Sequence, residues 1–213
     1  VKALDLFCGA GGVSVGLQRA GFDVVGVDIA PQPNHRGGEF VQADALEYPL
    51  EGFDFIWASP PCQAFTAYNR RPDHVKESPD LIEAVRDRME ASGAAWAIEN
   101  VVGAPLRQDL LLCGSMFGLD VRRHRVFELA FDVEVPPSCN HGWQEPRFPS
   151  ATNRPNQRKT VEVGKWAIPL DVQRRAMGVP WMALSELTQA IPPAYAEYIG
   201  RAAMNALSRI TGR

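Results

Sequence analysis

The sequence has no apolar run long enough to cross a bilayer. It also lacks a signal-like N-terminus, so a soluble chain with no membrane partner is expected. Cysteine is scarce, and the four present, Cys8, Cys62, Cys113 and Cys139, are far apart with no CxxC pair. That spacing argues against both a zinc site and a disulfide framework, so no metal is expected and the cytoplasm is the expected compartment. A basic excess is missing too: 22 Lys and Arg face 25 Asp and Glu, for a net charge of -3. A protein that coats nucleic acid through a global positive field is thereby excluded, and any nucleic-acid contact must be a local patch. The 213 residues, 46% hydrophobic, suit one domain with at most a small appendage.

The chain is organised around Ser59-Pro60-Pro61-Cys62-Gln63-Ala64-Phe65-Thr66, which follows the apolar run Phe53-Asp54-Phe55-Ile56-Trp57-Ala58. The run reads as a short buried strand, and two prolines stop both strand pairing and helix formation just after it. Cys62 is therefore fixed on a stiff loop at a strand end, where ligands bind in open α/β sheets. The alternative, a small buried hydrophobe, is the usual fate of a free cysteine.

Upstream, Ala3-Leu4-Asp5-Leu6-Phe7 reads as a strand and Cys8-Gly9-Ala10-Gly11-Gly12 as a glycine turn. Val13, Leu17 and Ala20 then recur at helical spacing until Gly21. Strand, glycine turn and helix form a nucleotide-binding opening, where the backbone must approach a cofactor closely. The dinucleotide fingerprint fails, because Ser14 stands where its third glycine belongs. Strand Val24–Val27 ends in Asp28-Ile29, placing a carboxylate to accept two ribose hydroxyls. Strand Phe40–Ala43 ends in Asp44, followed by Ala45, with Asp44 facing the amino edge of an adenine. Two such acids beside a glycine turn suit an adenosine cofactor without pyrophosphate, of which S-adenosylmethionine is the obvious member.

Tyr68-Asn69-Arg70-Arg71 through Lys76 is polar and aperiodic and reads as a loop. Ser78-Pro79 suggests a helix start, with Leu81, Ile82, Val85 and Met89 on its apolar face. A buried strand, Ala94–Ile98, then delivers Glu99-Asn100-Val101, and desolvation would make Glu99 a proton donor near neutral pH. Strand-like Leu110–Leu112 and Val126–Leu129 flank Arg122-Arg123-His124-Arg125, which is either a solvated turn or an anion-binding edge. His124 reads as a surface histidine, since no second metal-type residue is spaced with it.

Taken together, Asp5 to Gly12, Asp28, Asp44, Pro61 to Thr66, Glu99-Asn100-Val101 and Arg123-His124-Arg125-Val126-Phe127 resemble, in order and spacing, the motifs of the C5-cytosine DNA methyltransferases. The resemblance is dense over residues 1 to about 130 and returns at Ala190 to Gly200. It implies a Rossmann-like α/β methyltransferase fold with a mixed, mostly parallel sheet, and S-adenosylmethionine as cofactor. The expected division is a catalytic part at 1–130, a short target-recognition region at 131–170 and C-terminal helices at 171–213 packing back on the sheet. By the same resemblance Cys62, Glu99, Arg123 and Arg125 are catalytic, and Phe7, Gly9, Gly11, Asp28, Ile29, Asp44, Ala45 and Pro61 hold the cofactor.

The expected partner is double-stranded DNA, contacted by Gln63, Arg70, Arg71, Arg147, Arg154, Arg158, Lys159 and Lys165, with a cytosine flipped into the pocket of a monomer. Phage self-protection or restriction-modification is the matching setting. The chain departs from the family pattern at Val121, where a glutamine is usual, and at Thr188-Gln189 in place of Gly-Asn. The recognition region is also very short, and Cys139 and His141 within it are too few for a metal site. tRNA, a free pyrimidine nucleotide, or non-catalytic binding of cofactor and DNA remain the alternatives.

Overall fold

A computed structural model describes residues 1–65, 79–139, 141, 144–145 and 158–211. Seven strands form one sheet: β1 (Lys2–Leu6), β2 (Asp23–Asp28), β3 (Glu39–Gln42), β4 (Phe55–Ala58), β5 (Ala95–Asn100), β6 (Leu110–Leu112) and β7 (Arg125–Leu129), in the spatial order β3-β2-β1-β4-β5-β7-β6. The first five pair in parallel, and β7 runs antiparallel to both of its neighbours. The sheet is therefore mixed and mostly parallel, as expected from the sequence.

Strand alternation divides the core. On one face Ala3, Val24, Phe55, Trp57 and Ala97 pack against Val13 and Leu17 of α1 (Gly12–Ala20) and Tyr195, Ala196, Ile199 and Ala203 of α5 (Pro193–Thr211). On the other, Leu4, Leu6, Val27, Ile56 and Ile98 meet Ile82, Val85 and Met89 of α2 (Ile82–Ser92). Phe55 to Ala58 are completely buried because helices cover both faces, which is why that run is continuously apolar. A third cluster joins Val121, Val161 and Ile168 to Ala176 and Met177 of α3 (Leu170–Met177) and Leu187 of α4 (Leu184–Gln189).

Helix α2 starts at Ile82, later than the Pro79 start expected from the sequence. The Asp80 side chain accepts the Ile82 N–H at 3.1 Å just ahead of the N-cap Leu81, while Ser78 lies outside the described residues. The segment expected to be an irregular recognition region contains a separate two-stranded parallel pair, β8 (Gln144–Glu145) and β9 (Arg158–Lys159).

Candidate active site

Strand order reverses between β1 and β4, and the loops leaving their carboxyl ends meet around a cavity of about 400 Å³. This is the switch point at which open α/β sheets bind ligands. From the β1 side come Phe7, Cys8 and Gly9; from β2, Asp28 and Ile29; from β4, Ser59 to Gln63; from β5 and β7, Glu99 and Arg125.

Phe7 has φ of 61°, an unusual backbone state for a bulky residue and a sign of strain at this turn. Gly9, also at positive φ, has open space where a Cβ would project. Its N–H donates to Asp28 Oδ2 at 3.0 Å, and Ala30 N–H donates to Asp28 Oδ1 at 3.0 Å. A carboxylate offers about four acceptor sites, so Asp28 keeps capacity for hydroxyl donors. Beneath the turn, Ser14 Oγ donates to Asp5 Oδ2 at 2.6 Å and lies 3.2 Å from His35 Nε2. Burial pushes the Asp5 carboxyl up to about 7.

Three expected cofactor residues stand outside the cavity wall. Gly11 is glycine for packing reasons, since a Cβ there would lie 2.0 Å from the Arg36 carbonyl oxygen. Ala45 is buried in the core against α2. Asp44 Oδ1 accepts the Leu46 N–H at 2.8 Å on an exposed turn beyond the wall.

Cys62 sits half-buried at the cavity wall. Asn100 Nδ2 donates to the Pro60 carbonyl at 3.0 Å and pins the proline loop to the end of β5. Burial raises the Cys62 pKa, partly offset by Arg125, so the resting group is a thiol. Glu99 is 6% exposed, and burial likewise raises its pKa against the opposing pull of Arg125 and Arg123. Trp57 Nε1 donates to Ser59 Oγ at 2.9 Å, and Ser59 in turn hydrogen-bonds Glu99. Arg125 Nε lies 2.8 Å from Glu99 Oε1 and pairs with that carboxyl. A buried carboxyl with a raised pKa on the same cavity wall as a thiol is a ready proton-donating or hydrogen-bonding group.

Arg123 stands behind the wall, where its Nη2 donates to the Thr188 carbonyl at 2.7 Å and its own carbonyl accepts from Tyr195 Oη at 2.8 Å. Val121 at the glutamine position is 1% exposed and packs with the third cluster. The far wall, Met182, Ser185, Glu186, Gln189, Ala190 and Ile191, was missed by the sequence reading except for the Gln189 departure. Long-range bonds bring it in: Asn34 Nδ2 donates to Glu186 Oε1 at 3.1 Å, and Trp181 Nε1 to the Ala10 carbonyl at 2.8 Å.

Of the expected nucleic-acid contacts, Gln63 lines the cavity. Lys165 is exposed, 3.8 Å from Glu162, and neighbours Trp166, which is 93% exposed. Arg158 and Lys159 form β9, whereas Arg70, Arg71, Arg147 and Arg154 lie outside the described residues.

The expectation of no metal-type grouping needs correction. Cys113, His124, Cys139 and His141 converge, with all four ligand atoms within 4.8 Å of one another. His124 is therefore not an isolated surface histidine.

Comparison with known proteins accounts for the constellation. The family model for C-5 cytosine-specific DNA methylases matches residues 1–104, which carry the glycine turn, Asp28, the Pro-Cys loop and Glu99. Over those residues, just under half of its length, the chain is similar to the C5-cytosine DNA methyltransferases. It is 29% identical over 161 residues to the type II methyltransferase M.AgeI of Thalassovita gelatinovora, covering 67% of this chain and 36% of that protein. It is 30% identical over 91 residues to a 23S rRNA (uracil(747)-C(5))-methyltransferase of Pyrococcus horikoshii, covering 38% of this chain and 22% of that one. The chain thus spans about a third or less of the length of these relatives. Its fold matches that of the S. pombe Dnmt2 methyltransferase, with TM-score 0.60, 12% identity and full coverage of both chains. It also matches a protein described as a DNA modification methyltransferase from an E. coli prophage, with TM-score 0.61, 17% identity, and 98% and 99% coverage.

Proposed function

We propose that this chain methylates carbon 5 of a cytosine in double-stranded DNA, with Cys62 as covalent nucleophile and S-adenosylmethionine as methyl donor. The observation that carries the reading is the shared cavity: Cys62, Glu99 and Arg125 on one side, Phe7, Gly9, Asp28 and Ile29 on the other. The donor fits this second half. Asp28 offers an acceptor pair to ribose hydroxyls, Gly9 leaves room for close approach, and Ile29, 69% exposed, offers an apolar surface to a flat ring. When bound, that cofactor supplies an electrophilic methyl group.

The protein's part is to make C5 nucleophilic. The Cys62 thiol first gives its proton to solvent; its sulfur then forms a bond to C6 as the ring electrons move toward N3, where Glu99 donates a proton. Arg125 holds Glu99 in place and supplies positive charge for the base carbonyl. Once C5 carries the methyl group, loss of the C5 proton to water breaks the C6–S bond and restores the ring, and N3 returns its proton to Glu99. A stacked base cannot reach this cavity, so the cytosine must be flipped out of the duplex. Trp166 and Lys165 are exposed and suit stacking and phosphate contact in the recognition region.

Incubation with tritiated S-adenosylmethionine and duplex DNA, tRNA or dCMP tests the reading. Label is expected in duplex DNA. Label confined to RNA would instead favour the RNA reading, which the partial likeness to an rRNA uracil-C5 methyltransferase motivates.

A further inference from the structure

We infer that Cys113, His124, Cys139 and His141 form a structural zinc site that staples the start of the recognition region to the strand edge carrying the arginine pair. Cys113 Sγ lies 3.3 Å from His141 Nε2, and Cys139 Sγ lies 3.4 Å from His124 Nε2. A tetrahedral zinc with bonds of about 2.0 to 2.3 Å separates its ligand atoms by roughly 3.3 to 3.8 Å, so two of the six edges already have the required length. The widest pair, at up to 4.8 Å, needs to close by about 1 Å.

Two thiolates and two imidazoles select zinc over the oxygen-preferring cations. Four protein ligands leave no open position, which marks a structural rather than a catalytic site. Both imidazoles present Nε2 to sulfur, and Ser115 Oγ donates to Cys113 Sγ at 3.2 Å as an outer-shell partner. Cys113 Sγ also lies 2.7 Å from the Arg122 carbonyl. Metal binding removes the thiol proton, so that contact should lengthen.

The placement gives the site its role. Cys113 follows β6, and His124 stands between Arg123 and Arg125 in the chain, outside the lining of the cavity that Arg125 enters. Cys139 and His141 follow β7 at the head of the recognition region. One ion would tie that segment to the sheet and brace the backbone of the arginine pair from behind. Below the size at which such an appendage builds its own core, a metal is a common substitute.

The test uses the full chain, expressed with zinc supplementation and purified under reducing conditions without chelator. Elemental analysis should give about one zinc per chain, and cobalt(II) replacement should give sulfur-to-cobalt charge transfer with tetrahedral ligand-field bands. Cys139→Ala and His141→Ala should each weaken the metal by more than the about 10- to 100-fold typical of losing an outer-shell partner. Cys8→Ala and Cys62→Ala should keep it. Wild-type protein with no bound zinc and no cobalt charge-transfer band would overturn the proposal. So would cobalt bands that survive in a Cys139→Ala/His141→Ala double variant, or a Cys113–Cys139 disulfide in metal-free protein. Methyl transfer enters none of these readouts, so the zinc proposal and the proposed activity fail separately.

Discussion

Cys62 lines the cavity and Cys113 lies outside that lining in the metal-type cluster, and the two have opposite surroundings. Cys62 faces a cavity with a buried acid and a guanidinium for neighbours and, among the described residues, no imidazole on its sulfur. Cys113 is completely buried with an imidazole nitrogen 3.3 Å away and a second thiol in the same cluster. The first environment leaves room for a substrate and supplies charge to meet developing charge on it. The second leaves no room and saturates the sulfur with ligand-type partners. Thiol chemistry is thus assigned by what each side chain faces.

The largest effect expected on the cavity side is that of Glu99→Gln, which removes the proton donor but keeps the shape. kcat/KM should fall about 10²- to 10⁴-fold. The pH profile sharpens the point, because activity needs Glu99 protonated and Cys62 ionised. Burial raises both pKa values, so the wild type should give a bell whose acid limb reflects Glu99 and whose basic limb reflects Cys62. Glu99→Gln should instead rise monotonically to a plateau at the thiol pKa. An unchanged bell would remove Glu99 from the mechanism.

Next in size is the turn below the cofactor side. Asp5 has a folded pKa of about 7 against an ordinary value of 3.8, so the native state holds a proton that the unfolded chain has lost between these values. Its contribution is therefore full below pH 4 and disappears as pH rises to 7, by up to roughly 4 kcal/mol. Buried His35, with its pKa lowered, works in the opposite direction. Urea melts of wild type and Asp5→Asn across pH 4 to 8 isolate the Asp5 part: the variant should gain on the wild type as pH rises. A constant difference would show that Asp5 does not titrate in this window.

A smaller effect is expected from Asp28→Ala, which removes an acceptor pair worth about 1.5 to 3 kcal/mol and should weaken S-adenosylmethionine binding tenfold or more by calorimetry. Smallest is Lys165→Ala, which should reduce the slope of log DNA affinity against log salt by about one. An unaltered slope would place Lys165 away from phosphate.

The two cysteines also mark how far the sequence is legible. Phe53–Ala58 followed by two prolines announces a strand end locally, so the placement of Cys62, Glu99 and the Gly9 turn at strand ends is legible in the sequence. The Cys113 cluster was not, because its ligands are spread over 29 positions and meet only through the β6–β7 pairing. Gly11 and Ala45 show a subtler failure: motif position suggested cofactor contact, whereas Arg36 backbone and the α2 core explain them. The far wall from Met182 to Ile191 depends on bonds such as Trp181 to Ala10, 171 residues apart, for which local periodicity carries no signal.

The central claim is that Cys62 is the nucleophile, and trapping tests it most directly. Duplex DNA containing 5-fluorocytosine, incubated with wild-type protein and S-adenosylmethionine, should give a denaturant-stable protein–DNA adduct, because fluorine at C5 blocks the release of sulfur. Cys62→Ala should give none, while Cys113→Ala, which removes a buried thiol outside the cavity lining, should still form it if that variant remains folded. An adduct of normal yield in Cys62→Ala, or one mapped by mass spectrometry to another residue, would contradict the account.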